Sequence, residues 1–339
     1  MMTVWLLGIA HGLSDAAAGL AVGWLMQNGS ADAGLLIFLY NGLAFGLQPV
    51  SGLLLDVWKK HRMGIALGLA LTSIGLVSFQ FDARPGMLLI GLGSALFHAG
   101  GGAISIMLSP NKASGPGVFS AFGVIGLVTG VQLSPLYGSF LIPALGVSTA
   151  ALSIAGIVLR VPAGGSSGKS KLSSGYEVSI LIIVIAFALR SLVWSSVDLA
   201  PEETVLQAIL IGISAGLGKL IGGFLSDKMG WLNWMIVALI GSALSLTLAS
   251  GQTLLMIGVF LLQSVTGLTI AWLGRVLPDS PAFAASLALG AAVIIGGLPF
   301  VFTDATWFGD TILLSALSLS MLGYLVALRG NKEEPQTNN

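Results

Sequence analysis

A histidine and an aspartate four residues apart share one face of a helix, and the chain opens with such a pair, His11 and Asp15. His98 stands in a second apolar stretch, so two of the three histidines lie among residues that avoid water. Imidazole titrates near neutral pH, and a carboxylate beside it titrates jointly with it. This set offers proton uptake and release, with Asp15 as carrier, His98 as its partner or as a substrate ligand, and His11 as a third member. The alternative is a hydrogen-bonded cluster that only fixes helix packing. Arg190 stays charged in any protein setting and needs an anion, a carboxylate or a wet cavity. Asp198, eight residues on, is about 12 Å away along a helix, so an anionic substrate and a structural pair both remain open for Arg190. Lys219 either faces a cavity or snorkels to the surface on its long stem. If Arg190 and Lys219 both face a cavity, the site is electropositive and favours an anionic or zwitterionic solute. Asn41, Gln48, Gln132 and Gln263 are weaker candidates for substrate ligands, and interhelical hydrogen bonds are the preferred use of such residues.

These groups must be held by membrane-spanning helices. Of 339 residues 55% are hydrophobic and 8% are charged, against about 25% charged in a soluble domain. A span needs about 20 apolar residues, and twelve stretches qualify: 3–27, 32–56, 62–80, 86–109, 116–138, 140–160, 177–198, 203–226, 232–250, 252–273, 281–302 and 309–329. The separations near 139–143 and 250–251 are the least marked. The first stretch carries His11 and Asp15 and has no basic start, so it reads as a retained helix rather than a signal peptide. The expected fold is all-α and polytopic. Residues 1–160 form one six-helix bundle, 161–176 a cytoplasmic linker, 177–330 a second bundle and 331–339 a disordered tail.

Lys and Arg placement orients the spans. Lys59, Lys60, Arg62, Lys112, Arg160, Lys169, Lys171, Lys228, Arg275, Arg329 and Lys332 fall on the side of the N-terminus, and Arg84 alone falls on the other. Positive charge concentrates on the cytoplasmic side, so both termini are expected there.

The halves repeat. Gly52-Leu-Leu-Leu-Asp56 ends the second span and is followed by Lys59, Lys60, His61 and Arg62; Gly222-Gly223-Phe-Leu-Ser-Asp227-Lys228-Met229-Gly230 ends the eighth. Asp56 and Asp227 are 171 residues apart, half the chain. A parallel duplication is a transporter plan. Gly52, Asp56, Arg62, Gly223, Asp227, Lys228 and Gly230 are therefore read as a conformational latch, a charge cluster that holds neighbouring helices in one state. By the same offset Lys219 matches Gln48, which places polar groups at equal depth in both halves.

On these residues the chain resembles the major facilitator superfamily, which carries Gly-x-x-x-Asp-(Arg/Lys)-x-Gly-(Arg/Lys) after spans two and eight. Gly223, Asp227, Lys228 and Gly230 match; in the first copy Gly52 and Asp56 match, while Val57 and Lys59 stand where a basic residue and a glycine are expected. Gly91-Leu-Gly-Ser-Ala-Leu-Phe97-His98, with Gly123, Gly126, Gly130 and Ser134-Pro135 further on, is similar to fosmidomycin-resistance-type efflux proteins, although Ala99-Gly100 replace the Pro-Glu of that group. The resemblance implies two bundles around a central cavity bordered by spans one and four, which would bring His11, Asp15 and His98 together. It also implies a bacterial inner membrane location.

The expected function is secondary transport of a small solute by alternating access, proton-coupled, with efflux preferred. The partners are the solute, protons and membrane lipid, and the chain is a monomer. A non-transporting subunit of a larger membrane complex is the alternative. No cofactor, metal site or enzyme activity is expected. There is no cysteine, and Gly164–Ser170 lacks the strand–loop–helix setting of a phosphate loop. Nucleic acid is not an expected partner without a basic domain. Gly100-Gly101-Gly102 is read as a local helix break, and the glycines of span five as a point of bending.

Overall fold

A backbone in hydrocarbon must satisfy its own N–H and C=O groups, and a chain this poor in charge folds as helix throughout. The structure is a computed structural model that describes residues 1–28, 32–158, 176–198, 204–249, 251–302 and 307–329, and among these there is no strand. The linker expected over 161–176 lies outside the described residues except for Tyr176, and the tail expected at 331–339 lies outside them altogether, as do Arg160, Lys169, Lys171 and Lys332.

Among the described residues ten helices are long and apolar enough to cross a membrane, and two shorter apolar helices, Phe140–Gly156 and Trp231–Thr247, stand at the sixth and ninth expected spans. The elements are α1 (Met2–Asn28), α2 (Ala33–Asn41), α3 (Gln48–Trp58), α4 (His61–Phe79), α5 (Ala83–Met107), α6 (Ser114–Val158), α7 (Tyr176–Asp198), α8 (Val205–Met229), α9 (Trp231–Thr247), α10 (Gln252–Gln263), α11 (Thr266–Val276), α12 (Pro281–Ser286), α13 (Ala292–Gly297), α14 (Pro299–Phe302) and α15 (Asp310–Arg329). Two π-helical segments, Gly42–Gly46 and Leu287–Ala291, interrupt the second and eleventh crossings. They pack on each other, since a methyl group on Gly290 would meet the Phe45 carbonyl and Gln48.

The expected break between spans five and six is not a loop. Helix runs from Ser114 to Val158 through Pro135 and Pro143. A straight rod of that length would reach about 68 Å, twice a bilayer core. Instead the chain folds back near residue 139. Ser134 Oγ donates to the Leu20 carbonyl at 2.8 Å, Ser73 Oγ donates to the Gly146 carbonyl at 2.8 Å and Ser153 Oγ to the Ala66 carbonyl at 2.7 Å. The arm 114–138 therefore climbs alongside α1, and the arm 140–156 descends alongside α4.

Small residues let these helices touch backbone to backbone. A methyl group on Gly126 would overlap the Gly12 carbonyl, and one on Gly130 would overlap the Ala16 carbonyl. Overpacking of this kind costs about 1–3 kcal/mol. Gly126→Ala is expected to lower the melting temperature of the purified protein, and an unchanged melt would show that α1 and α6 can part freely.

The triple glycine in α5 is not a helix break. The helix is unbroken from Ala83 to Met107. Each glycine admits a neighbour: Gly100 the His61 carbonyl, Gly101 the Phe119 ring and Gly102 Ala285 of the second half.

Candidate functional site

Two reciprocal contacts join the halves at the end where α3 and α8 finish. Asp56 Oδ1 accepts the Ala282 N–H at 3.0 Å and Oδ2 accepts the Phe283 N–H at 2.8 Å, at the start of α12. Asp227 Oδ1 accepts the Ala113 N–H at 2.7 Å and Oδ2 the Ser114 N–H at 3.0 Å, at the start of α6. Each carboxylate thus answers the positive end and the orphan N–H groups of a helix from the other half. The glycine four residues earlier explains the approach. A methyl group on Gly52 would lie 2.7 Å from the Ala282 carbonyl oxygen, and one on Gly223 would lie 2.8 Å from that of Ala113.

The expected charge cluster between neighbouring helices is therefore a helix cap across the two halves. The first copy, imperfect in sequence, is the more buried one. Asp56 has a side chain only 5% exposed and takes His61 Nε2 at 2.8 Å as an extra partner. Asp227 and Lys228 are exposed, and Trp231 Nε1 donates to Asp227 Oδ1 at 3.4 Å. His61, next to Arg62 in the basic run, is thus the member of that run that meets the carboxylate, a role its spacing does not mark. Gly230 ends α8 with φ +88°, and Lys59, its counterpart by the repeat, ends α3 in the left-handed region at φ +53°. Gly230→Ala should destabilise the protein by about 1–3 kcal/mol through backbone strain, read in a thermal melt; no loss would mean the loop readjusts.

His11, Asp15 and His98 are brought together as expected, from α1 and α5. His11 Nε2 lies 2.8 Å from His98 Nε2 and 3.1 Å from Asp15 Oδ2, and His98 Nε2 lies 3.6 Å from the same oxygen. All three are buried. Each imidazole spends its other nitrogen on a backbone carbonyl: His11 Nδ1 donates to Phe119 O at 2.8 Å, and His98 Nδ1 donates to Ser94 O at 2.8 Å. A carbonyl only accepts, so both Nδ1 atoms carry hydrogen. Two neutral rings then turn lone pairs toward each other and toward a carboxylate. The centre closes only when a cation, at the least one proton, sits among these three atoms. Phe119 stacks on His11 with centroids 4.5 Å apart, and Phe97 packs beside both rings. Tyr40, buried on α2, stands beside Ser94 at the edge of this network. Sequence reading missed Tyr40 and Phe119, which look like ordinary apolar-span aromatics.

Arg190 and Gln263 also meet. Arg190 NH1 donates to Gln263 Oε1 at 2.8 Å and to the Leu262 carbonyl at 3.3 Å, with Thr266 Oγ1 at 3.5 Å and Ser191 Oγ 3.4 Å from NH2. The guanidinium carbon lies 4.2 Å from the centre of the Phe187 ring. Only 3% of Arg190 is exposed, these hydrogen-bond partners are neutral, and among the described residues Nε has none.

The remaining candidates stand apart from these clusters. Gln48 is fully buried, donates to the Ala44 carbonyl at 2.7 Å and packs against Gly290 between the halves. Lys219 is half-buried on α8, with its own carbonyl against Gly117 of α6. The two positions paired by the repeat thus sit at equivalent contacts between halves. Asn41 donates to the Ile37 carbonyl at 3.0 Å within its own turn.

No protein-family model matches the chain. No curated protein matches it either. Solved structures do. The E. coli fucose:proton symporter FucP is similar over 99% of this chain and 99% of its own, with a TM-score of 0.65 at 17% identity. FucP in the outward conformation, described as a major facilitator superfamily transporter, covers 97% and 99% with a TM-score of 0.66 at 17% identity. The chain is a polytopic all-α membrane protein with the fold of these transporters.

Proposed function

We propose that the chain is a secondary transporter working by alternating access, with the proton as coupling ion at His11, Asp15 and His98 and a small anionic or zwitterionic solute engaged by Arg190. The reciprocal caps carry this reading. Asp56 on α12 and Asp227 on α6 are two equivalent, breakable contacts on one end of the molecule. A rigid assembly subunit has no use for a symmetric pair of this kind, whereas two rocking halves need contacts that close one end and release together. The capped end carries Lys59, Lys60, Arg62, Lys112, Lys228, Arg275 and Arg329, which favours the cytoplasmic face. On this reading the caps close the cytoplasmic end.

Burial of an ionised arginine among neutral partners is costly, and an anionic solute group arriving at Arg190 offsets that cost. The proton is the smallest cation that completes the three-atom centre of the first half. Efflux is the direction that the resemblance of spans four and five favours.

The test is flux in proteoliposomes. A panel of small carboxylates, phosphates and zwitterions is screened first by thermal shift, and hits are followed under an imposed pH gradient. Gradient-driven movement of an anionic or zwitterionic hit, lost in Arg190→Gln, is the expected result. Absence of flux with every hit, together with stoichiometric co-purification of a membrane partner, would favour the assembly-subunit alternative.

A further inference from the structure

We propose that His11, Asp15 and His98 also form a binding site for one divalent transition-metal ion of the zinc or cobalt kind. The ligand atoms would be His11 Nε2, His98 Nε2 and Asp15 Oδ2. Their separations of 2.8, 3.1 and 3.6 Å bracket the roughly 3.3 Å edge of a tetrahedron with bonds of about 2.0–2.1 Å to nitrogen and oxygen. Small adjustments therefore seat a metal at the centre of the three atoms. The three donors converge in this way from two different helices.

The surroundings match what metal-bound histidines require. Metal-ligating imidazoles donate their second N–H to a carbonyl or carboxylate, which fixes the ring and the tautomer. Here both rings do so, to Phe119 O and to Ser94 O. Each Nε2 lone pair is thereby aimed inward before any ion arrives. Two neutral imidazoles and one carboxylate suit ions of borderline softness better than magnesium or calcium, which prefer oxygen alone.

The helix packed against the centre carries no side chain there. Gly123 of α6 faces the centre, and a methyl group there would collide with His11 Nε2 and lie 2.7 Å from Asp15 Oδ2. The side chain of Asp15 is 12% exposed, against 3% for His11 and 6% for His98. The carboxylate is thus the least buried of the three donors. Three protein ligands are the number found in zinc sites that take a fourth ligand from outside the protein, where four protein ligands are the structural pattern.

The proposal shares its residues with the proton site and does not require transport. It is therefore read on purified protein with no gradient. Tag-free, chelator-stripped protein in detergent is titrated with Zn2+ by calorimetry and with Co2+ by visible absorption. The expected result is one equivalent per chain and the intense bands of four-coordinate Co2+, reversed by a chelator. His98→Gln and Asp15→Asn should each weaken binding by more than the roughly 10–100-fold that follows loss of an outer partner. Gly123→Ala, which leaves all three ligands in place, should weaken it by crowding. No binding to the wild type, only the weak bands of hydrated six-coordinate Co2+, or equal binding by wild type and the Asp15→Asn/His98→Gln double variant would overturn the proposal. Should a ligand variant not fold, Gly123→Ala and the Co2+ spectrum of the wild type decide. Metal binding without proton-driven flux would leave this site standing and remove the proton reading. Flux without metal binding would do the reverse.

Discussion

Asp56→Asn is expected to open the capped end of the molecule. The carboxylate makes two hydrogen bonds to α12 and a third contact to His61 in a setting where its side chain is 5% exposed. Hydrogen bonds to a charged group contribute about 1.5–3 kcal/mol each, and asparagine keeps one acceptor. A loss of about 2–3 kcal/mol is expected, a shift of roughly 30–150-fold in the equilibrium between closed and open states. Asp227→Asn should act in the same direction but less, about 1 kcal/mol, because Asp227 is exposed and solvent screens its charge. The chain has no cysteine, so Ser286→Cys supplies a single probe. Ser286 is fully buried, and a methyl group on Gly52 of the other half would sit 2.8 Å from its hydroxyl. The rate of maleimide labelling at this position should rise strongly with Asp56→Asn, modestly with Asp227→Asn and most with both. Equal labelling in all four proteins would show that the caps do not hold the halves. A larger effect at Asp227 would show that burial does not set their strength.

Asp15→Asn should uncouple transport from the pH gradient. The carboxylate is the anionic member of a centre whose two Nε2 atoms face each other at 2.8 Å. Without it, any cation between the rings is a buried, unpaired charge, and breaking a buried pair costs about 3–5 kcal/mol. The neutral variant therefore sheds the cation instead of bearing that cost. Solute counterflow, which needs binding and rocking but no net proton movement, should persist. Accumulation driven by a pH gradient should vanish. Retained gradient-driven accumulation in Asp15→Asn would remove the proton from this site. His98→Gln should give the same split, since it removes the partner nitrogen and leaves the carboxylate.

Much of this was legible in the residues. Twelve apolar stretches predict the crossings to within a few residues at nearly every end, because hydrocarbon thickness sets a length that composition reveals. Asp56 and Asp227 declare themselves by their offset. His11 and Asp15 declare themselves because ionisable groups are costly in a span. The separation expected near residues 139–143 stands between 138 and 140, but no loop makes it. A span end is legible through polar residues, and residues 133–146 carry few. The reversal there is made by packing against α1 and α4, not by loop composition. Gly100–Gly102 failed for a related reason, as glycine permits a break and a close approach equally, and only the neighbours choose.

What the sequence by itself determined is an all-α polytopic membrane chain with two similar Gly-x-x-x-Asp segments half its length apart and a short list of costly ionisable groups. Those follow from composition and spacing, which act locally along the chain. What only the tertiary structure decided is what each of those groups faces. Asp56 and Asp227 cap helices more than 110 residues away in either case. His11 and His98 aim their lone pairs at one point because Phe119 and Ser94 hold their other nitrogens. Arg190 is left among neutral partners. Such pairings depend on the approach of helices distant in sequence, and that approach is set by the packing of small residues and by helix ends, neither of which leaves a periodic trace along the chain.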